Sequence, residues 1–183
     1  MRSDNPLVFL VETLFDLYII VLMLRFILQQ VRADFYNPIS QFIGKATTPV
    51  LKPVRNIIPG FAGIDLATII VIIAFIAMKI FIIALLTGYS PSLLALLLTG
   101  IRDFISLALN IFIFAIIIQA ILSWVNPDPY NPVSGLLASI TYPILSPFRR
   151  LIKPMGGLDL SPLVALIALM FIQRLVVYLF NMI

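Results

Sequence analysis

Cysteine and histidine are both absent from this chain of 183 residues. Without them the protein cannot form disulfides, use a thiol nucleophile or an imidazole base, or bind zinc through its usual ligands. Only Asp, Glu, Ser and Lys remain as groups for acid–base or nucleophilic chemistry. We therefore expect no metal, no cofactor and no enzymatic activity.

Charge is scarce as well, because only 11% of the residues are charged while 62% are hydrophobic. Soluble domains usually have about 25% charged and about 45–50% apolar residues. Too little polar surface is left to cover a globule in water, so much of the surface must face lipid. The net charge is +4, and the basic residues lie beside long apolar runs. This pattern favours binding to a surface of anionic lipid over direct binding of nucleic acid.

Four stretches are long and apolar enough to cross a bilayer, which takes about 20 residues. The chain is therefore predicted to be an all-α membrane protein with four transmembrane helices. The run at 92–98 is too short to span, and we expect an interfacial turn or helix there, or part of a buried loop. The predicted spans are Leu7–Gln30, Ile64–Thr87, Asp103–Val125 and Ser161–Met182.

The sequence of the connector between the first two spans is repeated 94 residues later. Between positions 31 and 66, 15 of 36 residues are identical to their counterparts at that offset. Each unit therefore has a span, a structured connector and a span, with residues 1–94 in the first unit and 95–183 in the second. Two spans per unit is an even number, so both units enter the membrane from the same side, as a parallel repeat.

The repeated motif predicts short amphipathic helices in each connector, over 37–58 and 131–153. An Asn-Pro pair suits a helix cap and first turn, and the prolines at 49 and 143 are expected to end the first short helix. Whether these helices lie in the interface or form a re-entrant hairpin is left open. The motif residues are Asn37, Pro38, Pro49, Pro53, Gly63 and Asp65, and Asn131, Pro132, Pro143, Pro147, Gly157 and Asp159.

The aspartates at 65 and 159 open the second span of each unit. A carboxylate there caps the helix and complements its dipole. An ion site is the alternative, but one carboxylate per unit supplies too few ligands. We therefore expect both residues to be helix caps.

Most cations outside the spans fall on the connectors, which carry seven against two, Arg2 and Arg102, on the other face. By the positive-inside rule, both connectors are expected in the cytoplasm and both termini outside. Cations on short amphipathic helices favour contact with lipid phosphates. The residues predicted to face lipid or a partner are Lys45, Lys52, Arg55, Arg149, Arg150 and Lys153.

Four charges fall at similar depth inside the predicted spans: Glu12, Asp16, Lys79 and Arg174. A lone charge at that depth costs about 2.5–3.5 kcal/mol on insertion scales, so we expect the acids and bases to neutralise each other. The cluster is either a structural lock or an ion path. Arg25, near the inner end of its span, is expected to reach lipid phosphates. In the second unit, Asn110 stands in the place of Asp16.

The stretches "DFYNPISQF" and "TTPVLKPVRNIIPGFAGID", repeated as "DPYNPVSGL" and "TYPILSPFRRLIKPMGGLDLSP", resemble the YggT family of bacterial integral membrane proteins. Related YlmG proteins carry one such unit, and two units are the proteobacterial arrangement. The resemblance implies no established chemistry. It implies an inner-membrane protein associated with osmotic or extracytoplasmic stress, with relatives linked to cell division, cofactor assembly and plastid nucleoids.

We therefore interpret the chain as a non-enzymatic scaffold or assembly protein of the bacterial inner membrane. Its basic connectors would bind anionic lipid or partner proteins, and it would work as a homo-oligomer or within a membrane complex. The alternative is a small oligomeric ion transporter or channel that uses the intramembrane charges.

Overall fold

The computed structural model describes residues 5–125, 131–152 and 159–182, and these form α-helices and no β-strand. Four of the helices are long and apolar enough to cross a membrane. This confirms the predicted all-α membrane protein with four spans. The helices are α1 (Pro6–Gln30), α2 (Pro38–Ile57), α3 (Leu66–Thr87), α4 (Leu93–Val125), α5 (Pro132–Leu151) and α6 (Ser161–Phe180).

Local signals explain where the first spans begin and end. Asn5 accepts a hydrogen bond from the Leu7 amide at 3.0 Å, and Pro6 follows as the first residue of α1. At its end, α3 stops at Gly88, whose φ of 72° is left-handed. Glycine adopts this conformation without the steric cost that a Cβ would bring, so it ends a helix readily.

The third span is longer than predicted, because α4 begins at Leu93 and not at Asp103. The Ser92 hydroxyl caps it by accepting from the Ala95 amide at 3.1 Å. Gly100 does not interrupt α4; a Cβ there would lie 3.2 Å from Cγ2 of Ile73, so the glycine allows α3 and α4 to pack closely. Residues 93–98 of the apolar run therefore belong to helix α4.

The connectors differ from the prediction in one respect, since each is a single helix of 20 residues, α2 or α5. The expectation that Pro49 and Pro143 end a helix was wrong. Each connector has two prolines four residues apart, at 49 and 53 and at 143 and 147, so both lie on one face. All four are exposed. The backbone carbonyls that lose a partner therefore lie on the outer face of the helix, where solvent or headgroups can satisfy them.

The helices pack in the same way in each unit. In the first unit, α2 packs against α1 and α3, and α1 packs on α3. In the second, α5 packs against α4 and α6, and α4 packs on α6. Tyr18, near the middle of α1, donates to the carbonyl of Ala46 at 3.3 Å, so α2 lies beside α1 and not only across its end.

The two units meet where α3 and α1 contact α4, and also at the start of the connectors. There the Asn37 amide donates to the carbonyl of Pro132 at 2.8 Å. Large apolar side chains such as Phe9, Phe81 and Phe171 remain exposed on the spans. Lipid is the solvent that suits such surfaces.

Candidate functional site

Each connector is tied to the following span by an arginine–aspartate ion pair at equivalent positions. In the first unit, Arg55 binds Asp65 through Nη2 and Oδ2, and the same nitrogen lies 3.2 Å from Oε1 of Gln29. In the second unit, Nε of Arg149 lies 3.0 Å from Oδ2 of Asp159. The shared ion pair accounts for the repetition of these two residue types.

Both aspartates are held as carboxylates at neutral pH. Burial alone raises the pKa of Asp65, but hydrogen bonds from Thr68 and Arg55 outweigh it and lower the pKa below its ordinary value. Hydrogen bonding from Ser161 is the main cause that lowers the pKa of Asp159, and Arg149 adds to it. An ionised aspartate at the start of a helix is stabilised by the helix dipole.

The oxygens of Asp65 are already occupied. Oδ1 accepts from the Thr68 amide at 3.2 Å, and Oδ2 accepts from the Thr68 hydroxyl at 2.6 Å and from Arg55. Asp159 likewise accepts from the Ser161 amide at 2.9 Å. These contacts favour the expected role of helix cap over that of an ion site.

The predicted lipid-facing cations divide into two groups. Arg55 and Arg149 are engaged by their aspartates. Lys45, Lys52 and Arg150 are exposed on the outer faces of α2 and α5. Lys153 and the motif glycine Gly157 lie outside the described residues.

The asparagines of the motif cap the connector helices, as the sequence predicts. Oδ1 of Asn37 accepts from the Ile39 amide at 2.9 Å, and Oδ1 of Asn131 accepts from the Val133 amide at 2.9 Å. Pro38 and Pro132 occupy the first helical positions. The Asn-Pro pairs therefore fix where both connector helices begin.

Inside the spans, the structure joins two of the four predicted charges. Nζ of Lys79 on α3 lies 2.7 Å from Oδ1 of Asp16 on α1. Glu12 and Arg174 make no ion pair within the described residues. Arg174 is exposed on α6, which contacts α4 and α5 but neither helix of the Asp16–Lys79 pair.

The second unit has a neutral version of this ion pair. Nε2 of Gln173 on α6 donates to Oδ1 of Asn110 on α4 at 2.7 Å. Gln173 stands 94 residues after Lys79, just as Asn110 stands 94 residues after Asp16. Sequence reasoning missed Gln173, although extending the same offset into the helices would have found it.

A cavity of about 320 Å³ lies beside the Asp16–Lys79 pair, where α1, α3 and α4 meet. Asp103, Ser106 and Asn110 of α4 also line it. The hydroxyl oxygen of Ser106 is buried and has no hydrogen-bond partner among the described residues. Polar side chains and apolar ones such as Ile76 therefore both line this space between the helices.

Arg25 lies against the connector helix. A Cβ on Gly44 of α2 would stand 3.4 Å from its Nη1. Its counterpart Gln119 accepts a hydrogen bond from the Thr141 hydroxyl of α5. In both units, then, the residue at this position of the span is directed at the connector.

Comparison with known proteins gives a consistent result. The CCB3/YggT family model matches residues 5–86 and 98–180. The chain is 49% identical to an uncharacterised protein of Pseudomonas aeruginosa, over 95% of this chain and 89% of that protein. It is 36% identical to the uncharacterised protein YggT of Escherichia coli K12, over 92% and 88%.

A plastid relative matches over a shorter length. The chloroplastic YlmG homolog protein 2 of Arabidopsis thaliana is 39% identical over 33% of this chain and 24% of its own length. No solved structure matches the chain.

Proposed function

The chain belongs to the CCB3/YggT family, and on that premise we propose that it is a non-enzymatic scaffold of the bacterial inner membrane. Its two connector helices would hold anionic lipid, or partner proteins, at the cytoplasmic surface. The non-enzymatic part of the proposal rests on a sequence without His or Cys. Assembly into homo-oligomers or a larger membrane complex is part of the same proposal.

One observation carries the proposal. The same arginine–aspartate pair anchors each connector to its following span, while the remaining described cations of the connectors are exposed. A helix fixed in this way presents its charges in a constant orientation. Each Lys or Arg near an anionic surface contributes about 1 kcal/mol of binding.

The test uses the three exposed cations and leaves the anchoring arginines intact. The triple variant Lys45→Gln, Lys52→Gln, Arg150→Gln should lose about 3 kcal/mol of affinity for anionic lipid, roughly a hundredfold. Native mass spectrometry of the purified protein with mixed phosphatidylglycerol and phosphatidylcholine measures the preference. Arg174→Gln, which removes an exposed cation from α6, is the control and should keep it. A triple variant with unchanged preference would refute the proposal.

The role in osmotic or extracytoplasmic stress that the family resemblance implies is proposed as the cellular consequence of this scaffold. Cells that carry only the triple variant should then survive osmotic downshift as poorly as cells without the protein. Survival equal to the wild type would separate the lipid contacts from the stress role.

A second candidate function is ion transport by an oligomer. The cavity beside Asp16 and Lys79, with the buried Ser106 hydroxyl, is the observation that favours it. Intramembrane charges next to polar space frequently mark ion paths. Reconstituted protein should then conduct ions, and Asp16→Asn should abolish the flux. Absence of flux under any imposed gradient would reject this function.

A further inference from the structure

Two neighbouring cavities of the first unit are lined by cations. Their volumes are about 300 and 610 Å³, and both are bordered by Arg25 and Phe35. No acidic residue is among the residues that line either cavity. The cations that line them are Arg25, Arg32, Lys45, Lys52 and Arg55. Such a set has the charge to hold an anion.

Two polar groups at these cavities lack partners. Nε of Arg25 and Oγ of Ser40 are buried and have no hydrogen-bond partner among the described residues. Arg25 also forms no ion pair there, whereas the charge of Arg55 is balanced by Asp65. A buried donor without a hydrogen-bond acceptor destabilises the protein, and an anion bound at this point would supply the acceptor.

The second unit serves as an internal comparison. Four of the five cations have neutral counterparts at the offset of 94, and only Arg55 has a cationic one, Arg149. The exception is the arginine that anchors the connector. The neutral counterparts are Gln119, Asn126, Ser139 and Ser146. The extra charge of the first unit is therefore not needed to build the repeat.

The second unit keeps a cavity at the equivalent place but lacks the set of cations. This cavity measures about 800 Å³, and Arg32 is the one cation among the residues that line it. Ala138 stands where the first unit has Gly44, against which Arg25 lies. The Gln119 side chain is instead occupied by Thr141. The second unit therefore has a neutral hydrogen bond at the point where the first unit has an arginine without an ion-pair partner among the described residues.

We propose that the first unit alone has a binding site for a phosphate group, between α1 and α2 and centred on Arg25. Arg25 and Arg32 supply positive charge and Ser40 supplies a hydroxyl donor at the smaller cavity, while Lys45 and Lys52 at the neighbouring cavity strengthen the positive potential. A guanidinium matches the geometry of phosphate oxygens, and lysines add point charge. Ser40 lies in the first turn of α2, where the helix dipole favours an anion. The phosphate belongs to a lipid headgroup or to a soluble phosphate compound.

This inference rests on the proposed function only in taking the connectors as the anion-binding face, and it adds a single, one-sided site. The test measures binding of one equivalent by purified full-length protein in neutral detergent. The probes are inorganic phosphate, glycerol phosphate and short-chain phosphatidylglycerol, each titrated by calorimetry. Arg25→Gln should weaken the binding roughly tenfold or more, and Arg174→Gln, an equal change of charge on α6 of the second unit, should leave it unchanged.

The three probes identify the source of the phosphate. Binding of phosphatidylglycerol alone assigns the site to lipid, while comparable binding of glycerol phosphate or phosphate assigns it to a soluble compound. Ser40→Ala removes only a hydroxyl and should weaken binding severalfold even if Arg25→Gln fails to fold. Unchanged one-equivalent binding in Ser40→Ala and in Arg25→Gln overturns the site. The triple variant of the exposed cations tests the proposed function separately. Its loss of preference for anionic lipid would not count as support for the phosphate site.

Discussion

The Asp16–Lys79 ion pair and its neutral counterpart allow a sharp test of what the intramembrane charges do. If the pair is a structural lock, an amide pair in the same place should replace it, because Asn110 and Gln173 already form that contact at 2.7 Å. The test is a double-mutant cycle with Asp16→Asn, Lys79→Gln and the combination of both. The combined variant gives the first unit the two residue types, Asn and Gln, that the second unit has at the equivalent positions.

The expected magnitudes follow from burial. The Lys79 side chain is 17% exposed and that of Asp16 is 52% exposed. Asp16→Asn leaves the more buried charge unpaired, at a cost of about 2–3 kcal/mol in free energy of unfolding. Lys79→Gln leaves the more exposed carboxylate and should cost about 1–2 kcal/mol. The double variant should lose less than about 1 kcal/mol, because neither charge remains in the membrane.

Reversible unfolding in mixed detergent micelles, followed by circular dichroism, measures these free energies. These losses imply a coupling energy of at least about 2 kcal/mol between the two positions. Losses that simply add in the double variant would refute the structural lock. If the double variant is stable but ion flux disappears, the charges serve transport in addition to the structural role that the amide pair can replace.

Three further changes test other parts of the structure by the same unfolding assay. Asn37→Asp keeps the cap acceptor but removes the donor to the second unit, and should cost about 1–3 kcal/mol more than Asn131→Asp; equal losses would contradict the contact between units. The depressed pKa of Asp65 stabilises the fold above the ordinary value of 3.8, and this stability is lost as the pH falls below it. Asp65→Asn should therefore flatten the acid limb of the stability profile, and an unchanged limb would refute the assignment. Gly100→Leu should cost about 1–3 kcal/mol by forcing α3 from α4, whereas Gly135→Leu, where a Cβ meets open space, should cost less than 1 kcal/mol.

Sequence reasoning predicted the four spans, which the structure confirms, because long apolar runs are visible in the composition. The parallel duplication, inferred from a constant offset of 94 residues, stays a prediction. A span needs only apolar length, and the helices α1, α3 and α6 begin and end close to the predicted residues. It failed at α4, which was predicted to begin at Asp103, just after Gly100, but begins at Leu93. The glycine is there to allow close packing on Ile73, a tertiary cause that the local sequence does not reveal.

The connectors show a second limit. A single proline inside a helix usually predicts a break, but two prolines on one exposed face leave α2 and α5 continuous. The site was predicted only in part for a related reason. Charge and spacing indicated Arg55 as a lipid contact, but its position beside Asp65 depends on how the connector folds back onto α3. Contacts of that kind are set by the fold.

The compartment of the two connectors tests the central claim most directly. The natural chain has no cysteine, so Lys45→Cys, Ser139→Cys and Tyr89→Cys each introduce a single thiol for labelling by a membrane-impermeant reagent in intact cells. A duplicated hairpin that crosses the membrane four times predicts that positions 45 and 139 are both protected and that position 89 is labelled. Labelling of only one of positions 45 and 139 would contradict the parallel repeat and the account built on it.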